Sequence, residues 1–280
     1  MTIPEHLLIL AGRGTYPFEM ADGARRTGVK KISILALRGA AERGVKKLAD
    51  EIEWIGVGEM ERGLAWGKAA GANAMVLAGG VSPLALFTTR FDALSNKILR
   101  GLPVKNAHTI FGRLAEAVEQ NGTRVLPASV FMDNALPAPG VLTQRAPNAG
   151  EESDIALGHR AAMGMCNLDI GQTLAVCNGM ITAVEAFEGT NAAIRRAGKL
   201  VRGGVVVKVA KDGHNMRFDI PVIGPETIPV LKRAGITALV FQARRTIFLE
   251  REKTIHLANK AGIAIAAVDS GLPAAPTRPL

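Results

Sequence analysis

Aromatic residues and cysteine are scarce in this 280-residue sequence. Phe, Trp and Tyr make up 4% of it, and its two cysteines, Cys166 and Cys177, are not spaced like metal ligands. With so few rings for base stacking, we do not expect nucleic acid as a partner. The buried core must be aliphatic, which is usual for parallel sheets that are covered on both faces.

Long apolar runs are also lacking. No stretch reaches the roughly 20 apolar residues that a membrane-spanning helix requires. Residues 1–10 do not combine a basic leader with an apolar run, so no secretory signal is evident. We therefore expect an intracellular protein that at most lies on a membrane surface.

Basic residues are abundant, and they are spread along the chain rather than gathered in blocks. The formal net charge is +9, while 48% of the residues are hydrophobic and 21% are charged. The hydrophobic fraction is large enough for a folded core and argues against disorder. The positive charge favours an anionic partner, either a phosphorylated small molecule or an acidic lipid leaflet.

The order of the predicted elements indicates two α/β domains. In residues 1–134, apolar strands alternate with amphipathic helices, which predicts a Rossmann-like domain with a parallel sheet. Prolines and glycines cluster at about 135–149, where we place the linker. Residues 150–280 contain an Asn178-Gly179 hairpin signal as well as crossover patterns, so a second, mixed α/β domain is expected there.

Two glycine turns follow predicted strands of the first domain. Gly12 and Gly14 follow the first strand, and Gly79 and Gly80, with Ser82 close behind, follow a later one. Turns of this kind bring backbone N–H groups close to phosphate, so we expect nucleotide binding there. The alternatives are a nicotinamide site, although Pro17 replaces the third glycine of that fingerprint, and plain connections that bind nothing.

Carboxylates follow the predicted hairpin. Glu185 and Glu188 come just before Thr190 and Asn191, and this set of oxygen atoms suits Mg²⁺. The alternative is a solvated turn in which Thr190 or Asn191 caps the next helix.

Cations and one carboxylate lie close together further along the chain. Lys208 interrupts a strand rich in Val, where an unpaired ammonium is costly to bury, and Lys211, Arg217 and Asp219 follow it. Such a mixture suits phosphoryl chemistry, because cations hold the oxygens while a carboxylate binds metal or orients water. The alternative is a surface loop with ordinary ion pairs.

These motifs together resemble the LpxI family of UDP-2,3-diacylglucosamine pyrophosphatases. The similarity is most specific over about 169–227, and it is looser around the two glycine turns of the first half. The runs that carry it are Asp169–Gln172, Val184–Thr190 with Arg195, Val207–Lys208, and Arg217–Pro221 with Gly224 and Thr227.

The resemblance implies hydrolysis of UDP-2,3-diacylglucosamine to UMP and lipid X (2,3-diacylglucosamine 1-phosphate), a step of lipid A biosynthesis. It also implies a divalent cation, Mg²⁺ or another such as Mn²⁺. On the matching positions we expect Asp219, Lys208 and Arg217 to be catalytic. Metal ligands are expected at Glu185, Glu188, Asn191 and Asn215. Besides Gly12, Gly14, Gly79, Gly80 and Ser82, the substrate is expected to contact Gln172, Thr190, Arg195, Lys211 and Thr227.

The same resemblance places the protein in the cytoplasm of a Gram-negative bacterium, at the inner-leaflet surface of the inner membrane. UDP-2,3-diacylglucosamine and lipid X are the expected small-molecule partners, and self-association as a homodimer is also expected.

Two departures from the family pattern leave a second function open. Asn191 and Asn215 stand where the family usually has Asp, and fewer anionic ligands weaken the attraction for Mg²⁺. A paralogue that binds the nucleotide sugar or lipid X without cleaving it is the alternative. A nicotinamide-dependent oxidoreductase using Gly12 and Gly14 is the third hypothesis.

Overall fold

Residues 2–82, 85–132 and 135–269 are described by the computed structural model, and they divide into two units. Unit 1 holds the described residues up to 132 together with Asn215–Asp219. Unit 2 holds the described residues of 135–214 and 220–269. Both units are α/β, as the sequence predicts.

Unit 1 is built on a five-stranded sheet in which every pair of neighbouring strands is parallel. The order is β3-β2-β1-β4-β5. The strands are β1 His6–Ala11, β2 Lys31–Leu37, β3 Glu51–Ile55, β4 Ala74–Ala78 and β5 Arg124–Val125. All residues of β1 and β4 are buried, because helical crossovers cover both faces of the sheet.

The connections of unit 1 are mostly helical. They are α1 Tyr16–Arg26, a 3-10 turn at Arg43–Leu48, α2 Met60–Ala70, α3 Ala85–Thr88, α4 Ala93–Arg100 and α5 Ala107–Gln120. The sequence predicts α5 only from Arg113 onwards. The helix begins six residues earlier because Asn106 and Thr109 form a capping box that satisfies its first backbone N–H groups.

Unit 2 is built on a six-stranded mixed sheet with the order β6-β13-β11-β9-β7-β8. A separate parallel pair joins β10 to β12. The strands are β6 Gly140–Val141, β7 Thr173–Cys177, β8 Met180–Val184, β9 Val205–Lys208, β10 Val222–Ile223, β11 Ala238–Gln242, β12 Ile247–Phe248 and β13 Ala264–Val268. Strands β9, β11 and β13 are parallel, whereas β6, β7 and β8 pair antiparallel to their neighbours.

Helices cover both faces of this second sheet. They are α6 Ala149–Asn167, α7 Thr190–Leu200, α8 Thr227–Ala234 and α9 Arg251–Ala261. Helix α6 packs one aliphatic core against residues such as Val176 and Val207. Helices α7, α8 and α9 enclose a second core around Leu231 and Phe241 on the opposite face. None of the helices in the described part of the chain is long and apolar enough to cross a membrane.

The segment predicted as a linker, about 135–149, is integrated into unit 2. The carbonyl of Ala135 accepts from Phe248 N at 2.8 Å, and that of Pro137 accepts from Arg244 N at 2.9 Å. Strand β6 then joins the sheet beside β13, and α6 begins at Ala149, directly after the capping residue Asn148. The prolines and glycines therefore mark an irregular path with defined hydrogen bonds.

The segment Asn215–Asp219 also differs from the predicted organisation. It falls within the predicted second domain of 150–280, yet it groups with unit 1. The physical reason is Phe218, an apolar ring that is buried in the core of unit 1 rather than that of unit 2.

The predicted hairpin at Asn178-Gly179 is present, and a carboxylate on α6 holds its turn. Asn178 and Gly179 both have positive φ, at 52° and 78°. The buried Asp154 accepts from Asn178 N at 2.9 Å and from Gly179 N at 2.7 Å. Two backbone donors of the turn are thus satisfied by one side chain, which ties the edge hairpin to α6.

Asp154→Ala should lower the free energy of unfolding by about 1–3 kcal/mol, because the two turn N–H groups lose a buried carboxylate acceptor. Denaturant titration measures this change. The matched control is Glu152→Ala, an exposed acid in the first turn of the same helix, which should cost no more than about 1 kcal/mol. Equal losses in the two variants would contradict the assigned role of Asp154.

Candidate active site

The two glycine turns of unit 1 lie side by side. Their strands, β1 and β4, are neighbours at the point where the strand order reverses, and ligands of open parallel sheets collect at such a point. Gly12 N donates to Ala78 O at 2.8 Å. Arg13 N donates to Gly80 O at 2.8 Å, and Gly80 N returns a bond to Arg13 O at 3.1 Å. The turns therefore form one hydrogen-bonded unit.

Close backbone approach explains why glycine occupies these positions. A Cβ on Gly12 would lie 2.6 Å from Gly80 O, and Gly79 has a φ of +99°, where side chains are strained. Gly14 has a φ of +90° and precedes α1, whose N-cap Thr15 makes no side-chain capping bond. Ser82 follows closely, and its carbonyl accepts from Ala85 N at 3.0 Å. Backbone N–H groups at the start of α1 suit an anionic group.

Lys208 is the centre of the candidate site in unit 2. It is the last residue of β9, pairs with Thr173 of β7, and is only 6% exposed. Its Nζ donates to Thr190 Oγ1 at 2.8 Å and to Thr173 Oγ1 at 3.3 Å. None of the ion pairs formed by the described residues includes Lys208. Among the described residues, the hydrogen-bond partners of this buried ammonium are thus hydroxyl groups.

Glu185 lies on the other side of the Thr190 hydroxyl. Thr190 Oγ1 donates to Glu185 Oε1 at 2.9 Å, so this hydroxyl bridges the Lys208 ammonium and a carboxylate. The second carboxylate oxygen, Oε2, is buried and has no hydrogen-bond partner in the described part of the chain. Uncompensated burial of a carboxylate oxygen is costly, and it marks a position where a cation or a donor is expected.

The amino terminus of α7 adds a positive dipole to this cluster. Thr190 and Asn191 are its first two residues, and the N-cap Gly189, with a φ of 81°, makes no side-chain capping bond. Partial positive charge accumulates at such a terminus and attracts anions. Asn191 is exposed. Lys208, Thr190 and the first turn of α7 can therefore hold a phosphate, while Glu185 can hold a cation.

Two ion pairs flank the cluster. Lys211 pairs with Asp169 at 2.7 Å, and Glu188 pairs with Arg196 at 2.7 Å. The hydrogen bond from Arg196 is the main reason why the pKa of the Glu188 carboxyl lies below its usual value. Both predicted site residues, Lys211 and Glu188, are thus already paired, and a ligand would have to share or displace these partners.

Other predicted substrate contacts are placed as follows. Arg195 is exposed on α7. The Gln172 carbonyl accepts from Val209 N at 2.9 Å, next to Lys208 along the chain. Thr227 begins α8, and its hydroxyl accepts from Gly224 N at 3.4 Å. The hydrogen bonds described for Thr227 are therefore local to its own turn.

The remaining predicted residues belong to unit 1. Arg217 Nη1 donates to Glu119 Oε1 at 2.8 Å. Its backbone N and its Nε each donate to Asn215 Oδ1 at 3.1 Å. Asp219 has a φ of 54°, in the left-handed region. The amide oxygen of Asn215, predicted as a metal ligand, is thus used by Arg217.

The structure therefore gathers part of the predicted site. Glu185, Thr190 and Lys208 form one hydrogen-bonded cluster in unit 2, whereas Asn215 and Asp219 belong to unit 1. Within the described ranges, no group of three or more His, Cys, Asp or Glu side chains is placed to hold a metal ion. Sequence reasoning missed Thr173: its hydroxyl lies in the predicted hairpin strand, but its pairing with Lys208 of β9 is a long-range contact that no local signal shows.

Comparison with known proteins shows which family this arrangement belongs to. The model of the LpxI N-terminal domain matches residues 6–135, and that of the LpxI C-terminal domain matches residues 138–266. A relative from Caulobacter vibrioides, named UDP-2,3-diacylglucosamine pyrophosphatase LpxI, is 30% identical over 275 residues, covering 93% of this chain and 96% of its own. The chain belongs to the LpxI family. The predicted resemblance is confirmed, and both units take part in the LpxI match.

Solved structures are less similar to this LpxI family member. The biotin carboxylase domain of the Hydrogenobacter thermophilus 2-oxoglutarate carboxylase is 16% identical, with 64% of this chain and 36% of that chain covered and a TM-score of 0.31. N5-carboxyaminoimidazole ribonucleotide synthetase from Thermotoga maritima is 15% identical, with 66% and 41% covered and a TM-score of 0.24. This chain spans less than half of either protein, and TM-scores this low do not establish a shared fold or function.

Gly12→Ala should lower the free energy of unfolding by about 1–3 kcal/mol, because the added methyl group would force the two turns apart. Thermal or denaturant unfolding measures this loss. Gly80→Ala is the matched control, since a Cβ there meets nothing within 4 Å, and it should change stability by less than about 0.5 kcal/mol. The close contact between the turns would be disproved if the two variants were equally stable.

Proposed function

We propose that this protein hydrolyses the pyrophosphate bond of UDP-2,3-diacylglucosamine, giving UMP and lipid X, as a step of lipid A biosynthesis. Membership of the LpxI family and the name of the Caulobacter vibrioides relative support this substrate. The observation that carries the chemistry is Lys208, a buried ammonium with hydroxyl partners and no carboxylate counter-ion in the described structure. A site of this kind attracts an anionic ligand such as a diphosphate.

The phosphate-holding groups of the proposal lie around α7. Lys208 and the N–H groups of the first turn would bind non-bridging oxygens, and Thr190 would orient them. Arg195, which is exposed on the same helix, would contribute a further positive charge to phosphate binding. As the bond between the bridging oxygen and one phosphorus breaks, these donors would stabilise the charge that develops on the oxygens.

The divalent cation of the proposal is Mg²⁺ or Mn²⁺, and Glu185 is the ligand that the geometry supports best. Its Oε2 is buried and lacks a partner among the described residues, and Mg²⁺ commonly takes one or two carboxylates together with substrate phosphates. Glu188, which pairs with Arg196, and the exposed Asn191 would be further oxygen ligands on the same segment. When bound, the cation would supply Lewis-acid stabilisation of the phosphate oxygens.

Asp219 is proposed to orient the attacking water. In the reaction the water oxygen forms a bond to one phosphorus and gives up a proton to solvent, the bond from that phosphorus to the bridging oxygen breaks, and each product keeps one phosphate. This role is carried over from the family resemblance. The paired glycine turns of unit 1, with Gly12 and Gly80, are proposed to accommodate the nucleotide diphosphate.

The proposed setting of the reaction is the cytoplasmic face of the inner membrane, reached by peripheral association. An acylated substrate resides in a lipid leaflet, and a net charge of +9 favours an anionic surface.

UMP should be released when the protein is incubated with UDP-2,3-diacylglucosamine and Mg²⁺, and chromatography of the nucleotide products measures it. EDTA should stop the release, and excess Mg²⁺ should restore it, because the cation neutralises the diphosphate. Asp219→Ala should be strongly impaired. Tight binding of the substrate without UMP release would instead establish the non-catalytic alternative suggested by Asn191 and Asn215.

Lys208→Met should lower kcat/KM by about 100- to 1000-fold, a typical loss for a donor that stabilises developing charge. Its melting temperature should stay equal or rise, because the change removes a buried ammonium that pairs with no carboxylate in the described part of the chain. Lys199→Met, a change on the exposed part of α7, is the control and should leave kcat/KM unaltered. If Lys208 had a purely structural role, Lys208→Met would instead have reduced stability and a normal kcat/KM.

A further inference from the structure

The short segment Asn215–Asp219 is anchored in unit 1 by an apolar side chain. Phe218 is 3% exposed and belongs to the core cluster that contains Leu114 and Val118 of α5. Its ring centroid lies 5.4 Å from that of His108, on the same helix. The backbone is held as well, since Ala128 N donates to Met216 O at 2.9 Å. Five residues from the second half of the sequence are thus packed against the first unit.

A polar contact accompanies this apolar anchor. Arg217 pairs with Glu119 near the end of α5, and its backbone N and Nε hold Asn215 at the start of the segment. Arg217 also lies over the Phe218 ring, at 5.9 Å from the centroid. An ion pair that is about one-third exposed contributes little stability by itself. It does, however, fix the direction of the segment once Phe218 is buried.

Asp219 follows Phe218 directly and has a backbone conformation that needs support. Its φ of 54° is left-handed, which Asp tolerates better than most residues but which is still unfavourable. Such a conformation persists when the surrounding structure determines it. Phe218, the residue before Asp219, provides this support on one side, because its ring cannot move without leaving the core of unit 1.

We infer that Phe218 and the Arg217–Glu119 pair are positioning residues, through which α5 of unit 1 sets the place of the Asp219 carboxylate. Arg217 therefore acts by anchoring the segment, because its Nε and Nη1 join Asn215 within the segment to Glu119 on α5. The inference rests on the proposed hydrolysis, in which Asp219 orients the attacking water. In this inference, Glu119 and Phe218 support catalysis without contacting the reacting atoms.

Gly112 on α5 allows this inference to be tested without altering the segment itself. An added Cβ would lie 3.6 Å from the Phe218 ring, which is ordinary van der Waals contact. Gly112→Ala should therefore leave docking intact, whereas the longer side chain of Gly112→Leu should displace the ring. Leu and Ala are both better helix formers than Gly, so neither variant should weaken α5.

Gly112→Leu should reduce kcat by about 10- to 100-fold, because a misplacement on the order of 1 Å has effects of that size on catalysis. KM should change little, since binding of the diphosphate is assigned to other residues. Gly112→Ala should retain the kcat of the unmodified protein. Equal kcat values in Gly112→Leu and Gly112→Ala, with folding intact by circular dichroism, would overturn the inference.

A second pair of variants tests the polar contact. Glu119→Ala removes the partner of Arg217, and Glu116→Ala removes the partner of Arg113 in an exposed pair on the same helix. Glu119→Ala should lower kcat while Glu116→Ala does not, although both should have similar melting temperatures. Glu119→Asp keeps the negative charge and should restore kcat if Glu119 positions Arg217. A role in helix stability alone would not predict this restoration.

Hydrogen exchange of the full chain provides a readout that does not depend on activity. The amides of Ala128, Arg217 and Phe218 donate to atoms of this segment. They should be protected in the unmodified protein and in Gly112→Ala, and they should exchange faster in Gly112→Leu, while those of β9 stay unchanged. Rapid exchange of these three amides in the unmodified protein would refute the docking. Absence of UMP release from a protein in which they are protected would instead refute the proposed function, and with it the catalytic consequence of docking.

Discussion

The buried ammonium of Lys208 is the constraint on which the candidate site depends. The apolar strand β9 carries this charge at its carboxyl end, where the hydroxyl groups of Thr173 and Thr190 are its partners among the described residues. Hydroxyl groups compensate a charge less completely than a carboxylate does, so the aliphatic cores on both faces of the sheet must offset the remaining cost. Burial of this charge therefore costs stability at a position that is proposed to bind an anion.

Each of the two units carries its own kind of polar group. Unit 1 presents main-chain atoms, because the turns approach too closely at Gly12 and Gly79 for side chains. Unit 2 presents side-chain charges, with Lys208 and Glu185 joined through the hydroxyl of Thr190. Backbone N–H groups in general suit phosphate oxygens, whereas side chains of both signs suit an anion and a cation together.

Features that depend on local sequence were predictable, and features that depend on distant contacts were not. The bounds of β2, Lys31–Leu37, and the turn at Asn178 follow from hydrophobic patterning and from turn chemistry. The early start of α5 was missed because its capping residue, Asn106, precedes a weakly periodic turn. No local signal predicts that Glu119 meets Arg217, since 98 residues separate them along the chain.

The placement of Asn215–Asp219 has a consequence for how such proteins can be divided and recombined. If the gene were cut near codon 135, the second fragment would encode Phe218 and Asp219, but the helix that holds them would be encoded by the first. Neither fragment would contain both the carboxylate and its support. Halves exchanged between relatives would therefore have to match at α5, and the two parts of the gene are expected to have been inherited together.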